Sequence, residues 1–166
     1  MATTTNHQLD VQFLVKKSMV AGYQYMSLLA PPAYLAFTLT RYGRSAFSLN
    51  RLLRATWVAG AVGTAAGGGI EYARSAYATE DSARTRRIAS AYDTSLIRAE
   101  DHSTIGSLLF GLLTPALLWK RARAVHLFLG GAGIGSGVGL IAHWTRSATG
   151  DRPATVVIPP QVIAPQ

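Results

Sequence analysis

The chain has 166 residues, enough for one domain, and it contains no cysteine, which excludes disulfide frameworks, thiolate metal sites and iron–sulfur clusters. Its net charge of +8 would ordinarily indicate a nucleic-acid partner, but only 14% of its residues are charged, against about 25% in soluble domains. The charged residues stand in blocks that are separated by long uncharged runs. This distribution predicts an all-α, polytopic membrane protein and argues against a nucleic-acid partner.

Four uncharged runs predict four short, glycine-rich transmembrane helices, at residues 18–40, 55–70, 103–119 and 124–145. The second and third runs, of 16 and 17 residues, are short for a hydrocarbon core that requires about 20. They must therefore borrow polar residues at their ends or lie in a thin or tilted setting. A soluble bundle of Ala/Gly-rich helices is the alternative interpretation of the same runs. We predict one four-span domain, residues 1–152, followed by a tail, residues 153–166.

Prolines interrupt two of the runs. Pro31 and Pro32 lie in the first run and Pro115 lies in the third. Proline removes a backbone hydrogen bond and kinks a helix. We therefore predict that the first helix is kinked, bending or restarting near Ala30, either as a hinge or wedge against a partner or as a kink that its neighbours tolerate.

The connection between the second and third runs, residues 71–102, is polar and long. Ile88 and Leu96 fall on one helical face within it, which predicts an amphipathic helix over residues 81–99. This helix would lie on lipid headgroups, strap a neighbouring protein or serve as a solvated connector. The tail, 153–166, contains several prolines and β-branched residues, so we predict an extended ribbon that lies along a larger partner.

The fourth run contains the stretch LFLGGAGIGSGVGL, residues 127–140. No frame of this stretch completes the G-x-G-x-x-G fingerprint of dinucleotide-binding proteins, and no lysine follows Lys120 to complete a phosphate-binding P-loop. On a helix the glycines form two adjacent rows instead, and rows of small residues let membrane helices approach closely. We predict helix packing by Gly60, Gly63 and Gly67 of the second run and by Gly131, Gly133, Gly135, Gly137 and Gly139 of the fourth.

The row formed by Gly131, Gly135 and Gly139 should be the contact face of the fourth helix. We expect its partner to be either the second span, through the glycines there, or a helix of a neighbouring subunit.

The two short connections between the runs are basic and contain no acidic residue. Under the positive-inside rule they face the inner side, with both termini outside. Tryptophan and tyrosine near the ends of the runs agree with this placement, because amphipathic rings favour the membrane interface. The basic loops also make a phospholipid such as cardiolipin a candidate ligand. The cations that carry this prediction are Arg41, Arg44, Arg51, Arg54, Lys120, Arg121 and Arg123.

Catalytic residues are not apparent in the sequence. His126 and His143 are 17 residues apart on one predicted helix, about 25 Å along its axis, so they cannot share a metal or a haem. Glu71, at the edge of the second run, is expected to pair with Arg74 or with a partner protein. We therefore predict no catalytic, cofactor-binding or metal-binding residue and no small-molecule substrate.

The stretch His102-Ser103-Thr104-Ile105-Gly106-Ser107-Leu108 through Gly139-Leu140 resembles a small fungal-type accessory subunit, of the NUXM type, in the membrane arm of mitochondrial respiratory complex I. The pattern of four short glycine-rich spans with basic inner loops is also similar to the four-helix family of inner-membrane translocases. The resemblance covers residues 12–147 and rests on pattern, without a diagnostic motif.

The first resemblance implies a non-catalytic accessory subunit of NADH:ubiquinone oxidoreductase, without a redox centre, that stabilises the proton-pumping arm. Its place would be the mitochondrial inner membrane, with both termini toward the intermembrane space and with other membrane subunits and lipids as partners. The second resemblance implies a component of a protein translocase or a small carrier.

Overall fold

The computed structural model describes residues 2–151, with side chains from residue 6 onward. Five α-helices fill this part of the chain, and a short 3-10 turn, Arg44–Ala46, lies between the first two. The predicted all-α class is confirmed, and the predicted extended tail lies outside the described residues. The helices are α1 (Ala2–Tyr42), α2 (Leu49–Ala76), α3 (Glu80–Tyr92), α4 (Thr94–Leu118) and α5 (Ala124–Ala148).

The long helices form two antiparallel hairpins. α1 packs along α2, α4 packs along α5, and α5 also contacts both helices of the first hairpin. The backbone amide of Arg123 donates to Asn50 Oδ1 at 3.2 Å, and Trp57 Nε1 donates to His126 Nδ1 at 3.1 Å. The starts of α2 and α5 are therefore adjacent, and both short loops lie at one end of the bundle. We call residues 41–54 and 120–123 the basic end. The opposite end of the bundle, where α1 and α4 begin and α2 and α5 end, is the far end.

The first helix is continuous through its two prolines, so of the two predicted forms, a bend or a restart near Ala30, the restart is wrong and the bend stays a prediction. Pro31 and Pro32 lie inside α1, and buried side chains precede and follow them. Ser27 before the prolines is fully buried and Thr38 after them is 4% exposed. Packing on both sides of the prolines therefore holds α1 in one helical path despite the two missing backbone donors.

The predicted single helix over 81–99 is also wrong, because the helix is interrupted at Asp93. This residue has an extended backbone, and its carboxylate accepts hydrogen bonds from the amides of Ser95 and Leu96, at 2.9 and 3.1 Å. An aspartate in that position is a strong helix N-cap, and its capping outweighs the amphipathic periodicity of the segment. α3 consequently ends at Tyr92, and α4 starts well before the third uncharged run.

The helices are longer than the uncharged runs inside them. α2 has 28 residues and α4 has 25, which correspond to about 42 and 38 Å of helix. Of the described helices, α5 has both the length and the apolar composition needed to cross a membrane; α1, α2 and α4 fall short by composition, and α3, with 13 residues, falls short by length. A buried core helix of a soluble protein can have the same composition, so the surface of the bundle is the more informative property.

Candidate functional site: the glycine interfaces and the two ends of the bundle

Three glycines of α5 face α4 at intervals of four residues: Gly131, Gly135 and Gly139. A Cβ atom on each of them would overlap a carbonyl oxygen of α4, which belongs in turn to Phe110, Gly106 and His102. The two backbones therefore approach more closely than any side chain allows. Such an approach adds dispersion contacts and Cα–H···O contacts along the whole crossing.

Our prediction of the helix that this glycine row contacts is therefore wrong. We expected the second span or a neighbouring subunit, but the row packs on α4, the helix that directly precedes α5. The reason is that Gly106 gives α4 a flat position opposite Gly135. A single glycine has no spacing pattern that would mark it in the sequence.

A second face of α5 packs on the other hairpin. A Cβ atom on Gly133 would lie 2.8 Å from Thr56 Cγ2, and one on Gly137 would lie 3.1 Å from Leu28 Cα. Gly130, which we did not predict as a packing residue, lies in the same way against Leu53. α5 is therefore the central helix, with close glycine contacts on two faces.

The three predicted glycines of α2, Gly60, Gly63 and Gly67, face α1. A Cβ atom on Gly63 would overlap the carbonyl oxygen of Gly22, and one on Gly67 would overlap that of Ser18. A Cβ atom on Gly60 would lie 2.7 Å from the ring of Tyr23. Each hairpin is thus closed by a row of glycines on one helix that meets one closely apposed glycine on the other, Gly22 of α1 or Gly106 of α4.

The interior of the bundle contains small hydroxyl groups. Ser103 of α4 and Ser136 of α5 are 2% and 0% exposed, and their hydroxyl oxygens are 2.7 Å apart. Thr56 is also fully buried, and its hydroxyl donates to the carbonyl of Leu52 at 3.0 Å. Hydroxyl pairs such as Ser103–Ser136 join neighbouring helices inside a bilayer, where polar groups have no water with which to form hydrogen bonds.

The outer surface of the bundle carries the large apolar side chains. On α4, Leu108, Leu112 and Leu117 are 65%, 67% and 78% exposed, whereas Ser103 and Gly106 are buried. A helix of a soluble protein turns its large apolar residues toward the core, so α4 has the reversed arrangement. The other long helices expose similar side chains, among them Val20, Leu29, Phe37, Val58, Val62, Ile70, Phe128, Leu129, Val138 and Ile141.

The basic end carries cations without acids. Its seven arginines and lysines face no acidic residue in the same segments, and all eight acids of the chain lie elsewhere. Among the described residues, the ion pairs involve none of these seven cations. The net positive charge of the chain is therefore concentrated at one end of the bundle.

The far end is held by ion pairs between helices. Glu71 accepts from Arg86 and from the hydroxyl of Ser75, each at 2.7 Å, so its expected pairing with Arg74 is wrong, and a pairing with a partner protein stays a prediction. The other pairs join α1 to α3, α1 to α4, and α4 to the end of the described chain: Asp10–Arg87, Lys17–Glu100 and Arg98–Asp151. These contacts link residues far apart in sequence, and no local motif marks them.

The exposed carboxylate of Asp151 is the clearest electrostatic feature at this end. Arg98 hydrogen-bonds to it, and this bond lowers the pKa of Asp151 below its usual value. The Arg98 guanidinium also donates to the backbone carbonyl of Asp151 at 3.1 Å. The start of α4 is thereby tied to the residues that follow α5.

The histidines of α4 and α5 lie in two separate places. His126 accepts from Trp57 near the basic end, whereas His143 is 4% exposed and lies at the far end. The ring of His102 is 5.8 Å from that of His143, a pairing across α4 and α5 that the sequence did not indicate. In the part of the chain that the structure describes, no three His, Asp or Glu side chains are grouped to hold a metal ion.

No protein-family model, curated protein or solved structure matches the chain. The properties of the chain that bear on its function are the packing, the surface and the charge distribution of the helices. These three properties define an all-α bundle with a small, close-packed interior and an apolar exterior.

Proposed function

We propose that the chain is a non-catalytic structural subunit with four transmembrane helices, α1, α2, α4 and α5. The observation that carries this proposal is the reversed distribution of side chains, with glycine and hydroxyl residues inside and large apolar residues outside. Exposed apolar surface on this scale is unfavourable in water by about 25 cal/mol for each Å². A bilayer, together with apolar neighbours inside it, removes that cost.

The charge distribution supports one orientation in the membrane. The basic end faces the inner side under the positive-inside rule, so both termini and α3 lie on the other side. α1 extends beyond its predicted span, and Asp10 in this extension pairs with Arg87 of α3. The extension and α3 together form a polar cap over the far end of the bundle.

We further propose that the host is the membrane arm of complex I in the mitochondrial inner membrane. The resemblance of the stretch from His102 to Leu140 is the basis for this assignment. The close glycine contacts support a mechanical role, because they make two stiff hairpins that can brace neighbouring subunits. The exposed leucines of α4 are suited to such neighbours or to lipid.

A component of a protein translocase or a small carrier is the second candidate. It is favoured by a polar face on α1, where Gln24, Ser27 and Thr38 are all less than 10% exposed. A transport protein requires polar groups at membrane depth, and such groups are functional more often than not. In the proposed structural subunit, these groups belong to the interior of the bundle, where Ser27 faces Gly60 of α2 and Gly133 of α5.

Both proposals can be tested on mitochondria that contain the full chain with a tag after Gln166. We expect the protein to resist carbonate extraction, and protease added after rupture of the outer membrane to remove the tag. On a native gel followed by mass spectrometry, we expect it to migrate with complex I. Release by carbonate would refute membrane insertion, a protected tag would refute the orientation, and migration with an import complex would establish the second candidate.

A further inference from the structure

The starts of α2 and α5 create an unusual electrostatic arrangement at the basic end. The two helices run parallel, because Asn50 contacts Arg123 at their starts and Thr56 contacts Gly133 further along. Each helix start carries a partial positive charge, and parallel neighbours place these charges side by side. Neither helix has an acidic residue in its first turn, and neither has a side-chain N-cap bond.

The cations of the basic end add to this positive potential. Arg51 and Arg54 lie in the first turns of α2, and Lys120, Arg121 and Arg123 lie just before α5. No carboxylate of the described chain pairs with any of them. Two adjacent helix starts and five cations without an acid make this end of the bundle attractive to an anion.

An apolar groove begins beside this charge. It has a volume of about 290 Å³ and is lined by Tyr34, Phe37, Thr38, Tyr42, Ala46 and Arg51. Three of its lining residues are aromatic residues of α1, and Arg51 of α2 also lines it. A ligand that fits both features has an anionic group and an apolar chain.

We propose that the basic end binds an anionic phospholipid, with its phosphate at Arg51 and Arg54 and an acyl chain in the groove beside Phe37. Free phosphate would use the cations and leave the groove empty, whereas a zwitterionic lipid would bring a second cation into a positive region. A lipid with two phosphates matches two adjacent helix starts. This inference rests on the proposed membrane insertion, and it adds a ligand that the structural role does not require.

The test uses the full chain, purified in a non-ionic detergent and freed of lipid, and measures binding by native mass spectrometry. The probes are tetraoleoyl cardiolipin, dioleoyl phosphatidylcholine and inorganic phosphate. The variant R51Q/R54Q removes two cations, R51K/R54K retains them, and F37A opens the groove. R74Q is the matched control, because Arg74 is an exposed arginine of the same helix near the far end.

We expect cardiolipin to bind and phosphatidylcholine not to bind. Each lost arginine should weaken cardiolipin binding about fivefold, and R51Q/R54Q about 25-fold. R51K/R54K and R74Q should stay within about threefold of the wild type, because lysine retains the charge and Arg74 is remote. F37A should weaken cardiolipin binding and leave the response to inorganic phosphate unchanged.

Three results would overturn the proposal. These are equal binding of the two lipids, equal binding by R51Q/R54Q and R74Q, and inorganic phosphate binding as tightly as cardiolipin. If R51Q/R54Q is not recovered folded, the wild type decides, since cardiolipin binding that does not weaken at high salt would exclude the arginines as its basis. Carbonate release of the protein would refute membrane insertion, whereas an embedded protein without lipid preference refutes this inference alone.

Discussion

Gly106 of α4 and Gly135 of α5 lie back to back, and a Cβ atom on either one would overlap the carbonyl oxygen of the other. This reciprocity means that two backbones, without any side chain between them, form the centre of the second hairpin. The position therefore accepts neither alanine nor any larger residue without movement of a helix.

The first prediction concerns Gly135. Gly135→Ala should destabilise the bundle by about 1–3 kcal/mol, because its Cβ meets backbone that cannot rotate away, and Gly135→Leu should prevent stable pairing of α4 and α5. The loss outweighs the gain of about 1 kcal/mol that alanine offers over glycine in a helix. Thermal unfolding in detergent, followed by circular dichroism, measures the effect.

Gly69 provides the control for this substitution. It is also a helical glycine, but a Cβ there would meet nothing within 4 Å. Gly69→Ala should therefore leave the unfolding temperature unchanged or raise it slightly. If Gly135→Ala behaved in the same way as Gly69→Ala, close backbone contact would not be what holds the hairpin.

Gly22 is the subject of the second prediction. Its Cβ would overlap the carbonyl oxygen of Gly63, so Gly22→Ala should weaken the first hairpin by about 1–3 kcal/mol. The combined variant with Gly135→Ala should lose the sum of the two single losses, because the two sites have no neighbour in common. A marked departure from additivity would show that the two hairpins do not behave as separate interfaces.

Gly22 also shows how much of the packing could be predicted from the sequence. Glycines that repeat every three or four residues reveal a flat helical face, and all eight predicted glycines do lie against another helix. The sequence does not reveal which helix faces them, because the opposing positions, Gly22 and Gly106, are isolated. The partner of a glycine row depends on which surface is equally flat, and that is a property of two helices together.

The ends of the helices show a second limit of sequence reasoning. Apolar periodicity extends across residues 81–99, but the local hydrogen bonds of Asp93 end one helix and start the next. The ion pairs of the far end join residues that are tens of positions apart, and charge composition alone does not assign them. The uneven distribution of acids and cations, in contrast, is visible in the sequence itself.

The third prediction concerns the pair Asp10–Arg87. The side chain of Asp10 is 9% exposed and that of Arg87 is 46% exposed, so loss of the arginine leaves a nearly buried carboxylate without its partner. Arg87→Ala should cost about 1–3 kcal/mol, and Asp10→Asn in the same chain should recover part of the loss. Unfolding of the two single variants and the double variant gives the coupling energy.

An exposed acid of α3, the helix that contains Arg87, serves as the control. Glu80 lies in the first turn of α3 and forms no ion pair among those described, so Glu80→Gln should change stability by less than about 0.5 kcal/mol. A coupling energy near zero between positions 10 and 87 would mean that α3 is held to α1 by its other contacts.

The fourth prediction follows from Arg98 and Asp151. The hydrogen bond from Arg98 lowers the pKa of the Asp151 carboxyl in the folded protein below its unfolded value, which is about 3.9. The folded state therefore gains stability from this group above that value, and the gain is lost as the pH falls through the lower, folded pKa.

Carbon NMR of the labelled carboxyl should record a titration midpoint below about 3.9 in the wild type, shifted toward 3.9 in Arg98→Gln. High salt should reduce the difference, because both groups are accessible to solvent. The unfolding temperatures of wild type and Asp151→Asn should differ at neutral pH and converge in acid, and a difference that persisted below the folded pKa would assign the effect to something other than this carboxylate.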